Sequence, residues 1–265
     1  MKLRVIGVIA ILLVIAALIW HSYSRPSMAS ATVVLPATAQ VAAPPGYDDV
    51  LTIIYSGDGG WRDLDQQLGK LIVGRGLPVL GISALSYNWQ NRTPEESAKE
   101  MDALITQYLT TWHKKRVWLI GFSFGADVLP SIIERLSPAN RALISQVVLL
   151  SPSRDVNFEV ELEEYMRENW LKTHTKAIME WLNPVPHYPA LPRIEALNNQ
   201  PPVICYYGRD DTDDSLCSVS GLPTWLKIHE MPGDHHFDYN YPGLVTRMIN
   251  ELPPTAAGDA APSSH

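Results

Sequence analysis

Gly121-Phe122-Ser123-Phe124-Gly125 stands between an apolar run, Arg116–Ile120, and an apolar helical pattern that begins at Phe124. No other feature constrains the fold as much. A strand that turns sharply into a helix leaves little room beside the turn residue, so glycines on both sides relieve the crowding while the strained backbone lifts the serine hydroxyl into the open. The five-residue pattern alone arises by chance in roughly one chain in ten of this length. Its position after a strand and before a helix is what gives it weight, against the alternative of a tight turn in a non-catalytic α/β domain.

Around this turn, short apolar runs alternate with helical patterns, the signature of βαβ units and a parallel sheet. Strands are expected at Val50–Tyr55, Pro78–Ile82, Arg116–Ile120, Gln146–Leu150, Val203–Tyr207 and Leu226–Glu230. Runs such as Val147-Val148-Leu149-Leu150 lack polar alternation, as strands covered on both faces do. Helices are expected at Arg62–Val73, at Pro94–Trp112 with Thr93 as N-cap, at Phe124–Leu136 and at Pro242–Glu251. The pattern predicts an α/β-hydrolase fold of about six mostly parallel strands flanked by helices. Residues 151–200 interrupt the rhythm; they are a candidate lid insertion or an ordinary pair of packing helices.

A serine hydroxyl needs a base, and in this fold the order along the chain is Ser, acid, His. His235 and His236 follow the last strand in the turn Met231–Phe237; His235, just after Gly233-Asp234, is the preferred base and His236 the alternate. The acid belongs after the penultimate strand, where Asp210, Asp211, Asp213 and Asp214 cluster. Asp211, third after Gly208, is the preferred partner that would hold the imidazole tautomer, with the other three as alternates. The oxyanion hole requires two backbone donors: Phe124 N–H, and by fold analogy Asp58 N–H in the loop Ser56–Trp61. Gly57 and Trp61 of that loop are expected to line the substrate site. The loop could instead cradle phosphate, but neither a Rossmann fingerprint nor a P-loop Gly-Lys-Ser/Thr is present. An EF-hand-like calcium loop does not fit the aspartates, and no metal or cofactor is expected.

The ends differ from the middle. Lys2 and Arg4 precede an uncharged apolar run, Val5–Trp20, so residues 1–24 read as an export signal or uncleaved membrane anchor; Ala29-Ser30-Ala31 offers cleavage as the alternative. Residues 25–46 read as a Pro/Ala-rich linker, 47–252 as one domain and 253–265 as a disordered tail. Two nearby cysteines in an exported chain, Cys205 and Cys217, predict a disulfide bracing the acid loop. A net charge of −7 and a pI near 5.6, without a Lys/Arg run, exclude a nucleic-acid partner.

The strings Tyr-Ser-Gly-Asp-Gly-Gly-Trp-Arg-Asp-Leu-Asp at 55–65 and Ile-Gly-Phe-Ser-Phe-Gly-Ala-Asp-Val-Leu-Pro at 120–130 resemble the VirJ/AcvB bacterial virulence protein family. The likeness continues through Tyr87-Asn88-Trp89, Arg92-Thr93-Pro94, the two cysteines and His235-His236-Phe237-Asp238, covering most of residues 47–250. The sequence departs at Ser83, where the family tends to have Asp, and at Phe122, where it tends to have Tyr. The resemblance implies a periplasmic α/β hydrolase acting on aminoacylated phosphatidylglycerol, notably the lysyl form, at a membrane surface. Asp58, Asp63, Asp65 and Asp127 would then be candidates for reading the ammonium. A non-catalytic periplasmic adaptor linked to secretion is the other reading, since a hydrolase fold does not by itself prove catalysis. The sequence names no protein partner.

Overall fold

The computed structural model describes residues 25–38, 40–161, 174, 176–178, 181–182 and 184–255. Contacts divide the chain into two compact units, Met1–Pro26 with Leu162–Pro184, and Ser27–Glu161 with Val185–His265.

Among the described residues the second unit holds nine strands: β1 (Thr32–Leu35), β2 (Val50–Tyr55), β3 (Val79–Ile82), β4 (Arg116–Phe122), β5 (Ile144–Leu150), β6 (Asp155–Val156), β7 (Tyr188–Pro189), β8 (Val203–Gly208) and β9 (Lys227–Met231). Seven form one sheet in the order β1-β3-β2-β4-β5-β8-β9, with every pairing parallel except β1 on β3; β6 and β7 make a separate two-stranded ladder. All six strands expected from the sequence are present.

Helices cover both faces. Helices α1 (Leu64–Val73) and α4 (Tyr241–Glu251) pack together, as do α2 (Pro94–Thr111) and α3 (Phe124–Glu134). Alternation sorts the side chains: Val50 and Ile54 of β2 join Trp118, Ile120 and Phe122 of β4 in a cluster closed by Leu64, Leu68 and Ile72 of α1 and by Leu244, Val245 and Met248 of α4. Helix α2 starts where expected, with Thr93 and Glu96 forming a reciprocal capping box and Pro94 in the first turn.

Two expectations about the ends need correction. Thr32–Leu35, inside the stretch read as a linker, is an edge strand, with Thr32 opposite Ile82 and Leu35 opposite Val79. It is anchored further by Ser83 N–H on Ala31 O at 2.9 Å and Met28 N–H on Glu100 Oε2 at 2.5 Å. Its β-branched residues satisfy the open edge of β3, which outweighs the polar, proline-rich composition around them. At the other end, Thr255 donates its N–H to Gly46 O at 2.9 Å, so the domain extends to the first residues of the expected tail.

The expected signal or anchor at 1–24, residues 162–173, 175, 179–180 and 183 of the candidate lid, and residues 256–265 lie outside the described residues. Among the described residues no helix is long and apolar enough to cross a membrane.

Candidate active site

Ser123 follows the last residue of β4 and precedes the first of α3. Its backbone sits at φ 50, ψ −119, a region that side chains seldom occupy. The flanking glycines make the turn feasible: a Cβ on Gly121 would lie 2.6 Å from Gly125 O, and one on Gly125 would lie 2.1 Å from Tyr55 O. The turn is held by Ser123 N–H on Leu150 O at 2.9 Å and Asp127 N–H on Ser123 O at 3.0 Å.

The remaining candidates sit on loops at the same carboxyl end of the sheet, where parallel α/β folds place their ligands. His235 lies after β9 and Asp211 after β8, and the structure brings them together: His235 Nδ1 is 2.7 Å from Asp211 Oδ2. With Nδ1–H donating to the carboxylate, Nε2 is left as an acceptor, the form a general base requires. Asp211 is the more enclosed partner; Asp210, Asp213 and Asp214 are exposed. No hydrogen bond joins Ser123 Oγ to His235 among the described residues, but Phe122, the residue before the serine, lies against the imidazole with ring centroids 5.2 Å apart. Hydrogen bonds of this kind are commonly long before substrate arrives.

His236 has a different environment. Its ring stacks on Tyr239 at 5.7 Å, meets the edge of Phe122 at 5.5 Å, and faces the Tyr241 hydroxyl through Nδ1 at 3.4 Å. Burial, followed by the neighbouring His235, lowers its pKa and so favours the neutral ring.

The loop after β2 runs beside the serine. A Cβ on Gly57 would lie 3.2 Å from the Phe122 ring and 3.5 Å from Ser123 Cβ, so the glycine permits the close pass. Asp58 turns its own Oδ1 onto Gly59 N–H at 2.7 Å. Neither Asp58 N–H nor Phe124 N–H is engaged by another group among the described residues, which leaves both as available donors.

Three expected substrate contacts are not what the geometry offers. The Trp61 ring is turned inward: Cβ atoms placed on Gly69 and Gly81 would lie 3.0 Å and 2.3 Å from it, so it packs between α1 and β3. Asp127 is buried, with Oδ1 accepting Ser153 N–H at 2.6 Å, and burial pushes its pKa up to about 8. Asp65 is buried as well, and desolvation raises its pKa well above the carboxylate range. Two carboxyls favouring the neutral form cannot attract an ammonium; Asp58 and the exposed Asp63 remain.

The predicted disulfide is present, joining Cys205 of β8 to Cys217 just beyond the Asp211 loop. The loop Ser151-Pro152-Ser153-Arg154 after β5 was not singled out by the sequence, although it follows the strand next to the nucleophile's. It touches the acid and base loops, through Leu216 N–H on Pro152 O at 2.8 Å and Ser151 Oγ toward His235 O at 3.4 Å. No group of three or more His, Cys, Asp or Glu among the described residues could hold a metal ion.

Solved structures share this fold. A Xanthomonas campestris α/β serine hydrolase without a lid is 16% identical, with 85% of this chain and 90% of that one covered and a TM-score of 0.51. The Pyrococcus furiosus esterase Pf2001 is 15% identical over 83% of this chain and 91% of that one, TM-score 0.51. The Butyrivibrio proteoclasticus protein Est1E, with ferulic acid bound, is 11% identical over 83% and 94%, TM-score 0.51. No curated protein sequence matches the chain. The model of the bacterial virulence protein (VirJ) family matches residues 49–255, and the chain belongs to that family.

Proposed function

We propose that this protein is a serine hydrolase of carboxylic esters, and that its substrate is the aminoacyl ester of lysyl- or another aminoacyl-phosphatidylglycerol. The observation that carries the reading is the His235–Asp211 pair at 2.7 Å, at the same end of the sheet as a serine held at φ 50. Ser123 Oγ attacks the ester carbonyl while His235 Nε2 takes its proton. The oxyanion is received by the N–H groups of Asp58 and Phe124. Collapse breaks the ester C–O bond, and the departing glycerol oxygen of the lipid takes the proton from His235. Water, activated by the same imidazole, then cleaves the acyl-enzyme and releases the free amino acid. No cofactor enters this scheme.

The acid loop and the carboxylates of Asp58 and Asp63 suit an ester whose acyl group carries positive charge. A membrane-held substrate is supported by the first structural unit, where Ile178, Trp181 and Leu182 are 57%, 80% and 62% exposed at helical spacing. An apolar stripe with a tryptophan suits the interface of a bilayer. The apolar run Val5–Trp20 and the disulfide favour the periplasmic side of an inner membrane, the run serving as anchor or as a cleaved signal.

The test is twofold. A fluorophosphonate probe is expected to label the wild-type protein and not Ser123→Ala. In cells, Ser123→Ala and gene deletion are expected to raise aminoacyl-phosphatidylglycerol alike. If lipid is unchanged in both while secretion fails only on deletion, the protein is an adaptor and the catalytic reading is wrong.

A further inference from the structure

We infer that Asp127 is a positioning residue that fastens the nucleophile helix to the loops carrying the acid and the base, acting through the backbone of Ser153. The inference rests on reading Ser123, Asp211 and His235 as nucleophile, acid and base.

Asp127 is placed by the same turn that shapes the elbow, since its N–H donates to Ser123 O at 3.0 Å. Its carboxyl reaches away from the helix to accept Ser153 N–H at 2.6 Å. Ser153 is the centre of a short loop with contacts to both partners. It pairs in an antiparallel bridge with Ser215, and Ser215 N–H in turn donates to Asp211 O at 3.1 Å. The hydrogen bond of that bridge runs from Leu216 N–H to Pro152 O at 2.8 Å, and Arg154 Nη2 donates to Thr212 O at 3.0 Å, so the loop grips the acid segment at two places. Ser151, buried and held at φ 47, points its hydroxyl to His235 O. One carboxyl thus connects the helix of Ser123 to a loop on which Asp211 and His235 both depend.

The chemistry of the position supports a positional role. The half-buried Ser153 N–H faces a buried carboxyl, and a donor turned inward in this way needs an acceptor, because leaving it unsatisfied is costly. The carboxyl that provides the acceptor is itself desolvated, and its charged neighbours, Asp58 from the loop after β2 and Asp155 from β6, both oppose its ionisation. A group so disposed to stay neutral serves as a hydrogen-bonding brace and not as a charge presented to substrate. Misplacement of a catalytic group by about 1 Å is enough to lose on the order of a hundredfold in rate.

The experiment uses the full-length protein in detergent and a soluble p-nitrophenyl ester as probe. Asp127→Ala is expected to lower kcat about 30- to 100-fold with KM changed less than about threefold, and Asp127→Asn, which keeps the acceptor oxygen, to bring kcat within about threefold of wild type. Because the residue acts through the acid loop, Asp127→Ala added to Asp211→Asn is expected to cost much less than the product of the two single effects. Should Asp127→Ala not fold, Asp127→Ser, whose hydroxyl is too short to reach Ser153 N–H, replaces it. Wild-type kcat in the Ala or Ser variant, an Asn variant no better than Ala, or fully multiplicative loss with Asp211→Asn overturns the inference. Full ester hydrolysis by Ser123→Ala would instead overturn the catalytic reading on which it rests.

Discussion

Asp211 and Asp213 are two residues apart, yet only the first reaches an imidazole, at 2.7 Å from His235 Nδ1. The difference predicts an unequal pair of variants. Asp211→Asn is expected to lower kcat by about 10⁴-fold, since the amide would favour the wrong tautomer, whereas Asp213→Asn is expected to stay within about twofold. Steady-state rates on a soluble ester separate the two; equal losses would remove Asp211 from its role. Asp127 makes a second prediction through pH. Its folded-state pKa, about 8, is above the ordinary carboxylate value, so the native state binds the extra proton, and the contribution of Asp127 to stability is full below about pH 4 and is lost as pH rises toward 8. Asp127→Asn removes that titration while keeping the acceptor, and its gain in melting temperature over wild type is expected to be larger at pH 8 than at pH 5. Residue types and their order along the chain made the serine turn and the pairing of Asp211 with His235 legible without a structure. Side-chain direction was not legible: Trp61, Asp65 and Asp127 belong to the same conspicuous strings, but sequence does not say whether a ring or carboxyl near a turn faces the cleft or the core.

At the scale of elements, the parallel strands could be read because burial on both faces removes polar residues from a run of four to seven. Edge strand β1 could not, because four residues in a Pro/Ala/Ser stretch carry too little pattern to outweigh composition, and their partner β3 is more than forty positions away. Loop lengths were equally opaque, so the clamp formed by Ser151–Arg154 emerged only from the fold. The disulfide is different, since two cysteines in a short span were enough to predict it. Cys205 and Cys217 are 12 positions apart and close the loop that carries Asp211. By loop entropy, Cys205→Ser with Cys217→Ser is expected to remove about 3 kcal/mol. For a domain of this size that is a fall of roughly 6–12 °C in melting temperature. The wild type in reductant is expected to match the double variant, and calorimetry with and without dithiothreitol checks both. Because the released segment carries the acid, kcat on a soluble ester is expected to fall as well, under conditions where the protein is still folded. An unchanged kcat would mean that the contacts of Pro152, Ser153 and Arg154 hold the acid loop without the bridge.

For the molecule as a whole, the proposed function raises the question of how the domain around Ser123 would work on an ester held in a bilayer. If uncleaved, the apolar run Val5–Trp20 would keep the protein at the membrane, but an anchor alone does not bring substrate out of it. The exposed stripe of Ile178, Trp181 and Leu182 provides a second apolar surface, in the unit that also includes the chain up to Pro26. Even partial insertion of Trp181 and Leu182 would contribute on the order of 2 kcal/mol, enough to change interfacial occupancy severalfold to thirtyfold. Trp181→Ser with Leu182→Ser is therefore expected to lower hydrolysis of an aminoacyl ester embedded in phosphatidylglycerol vesicles by about tenfold. The same variant should hydrolyse a dissolved ester at close to the wild-type rate, because none of the residues proposed for the chemistry is altered. A parallel loss on both substrates would show that the stripe supports the fold, and no loss on either would show that the stripe does not bring the protein to its substrate. Only a loss confined to vesicles joins the charge-reading carboxylates, the serine and the apolar stripe into one function: removal of an amino acid from a lipid without the lipid leaving its membrane.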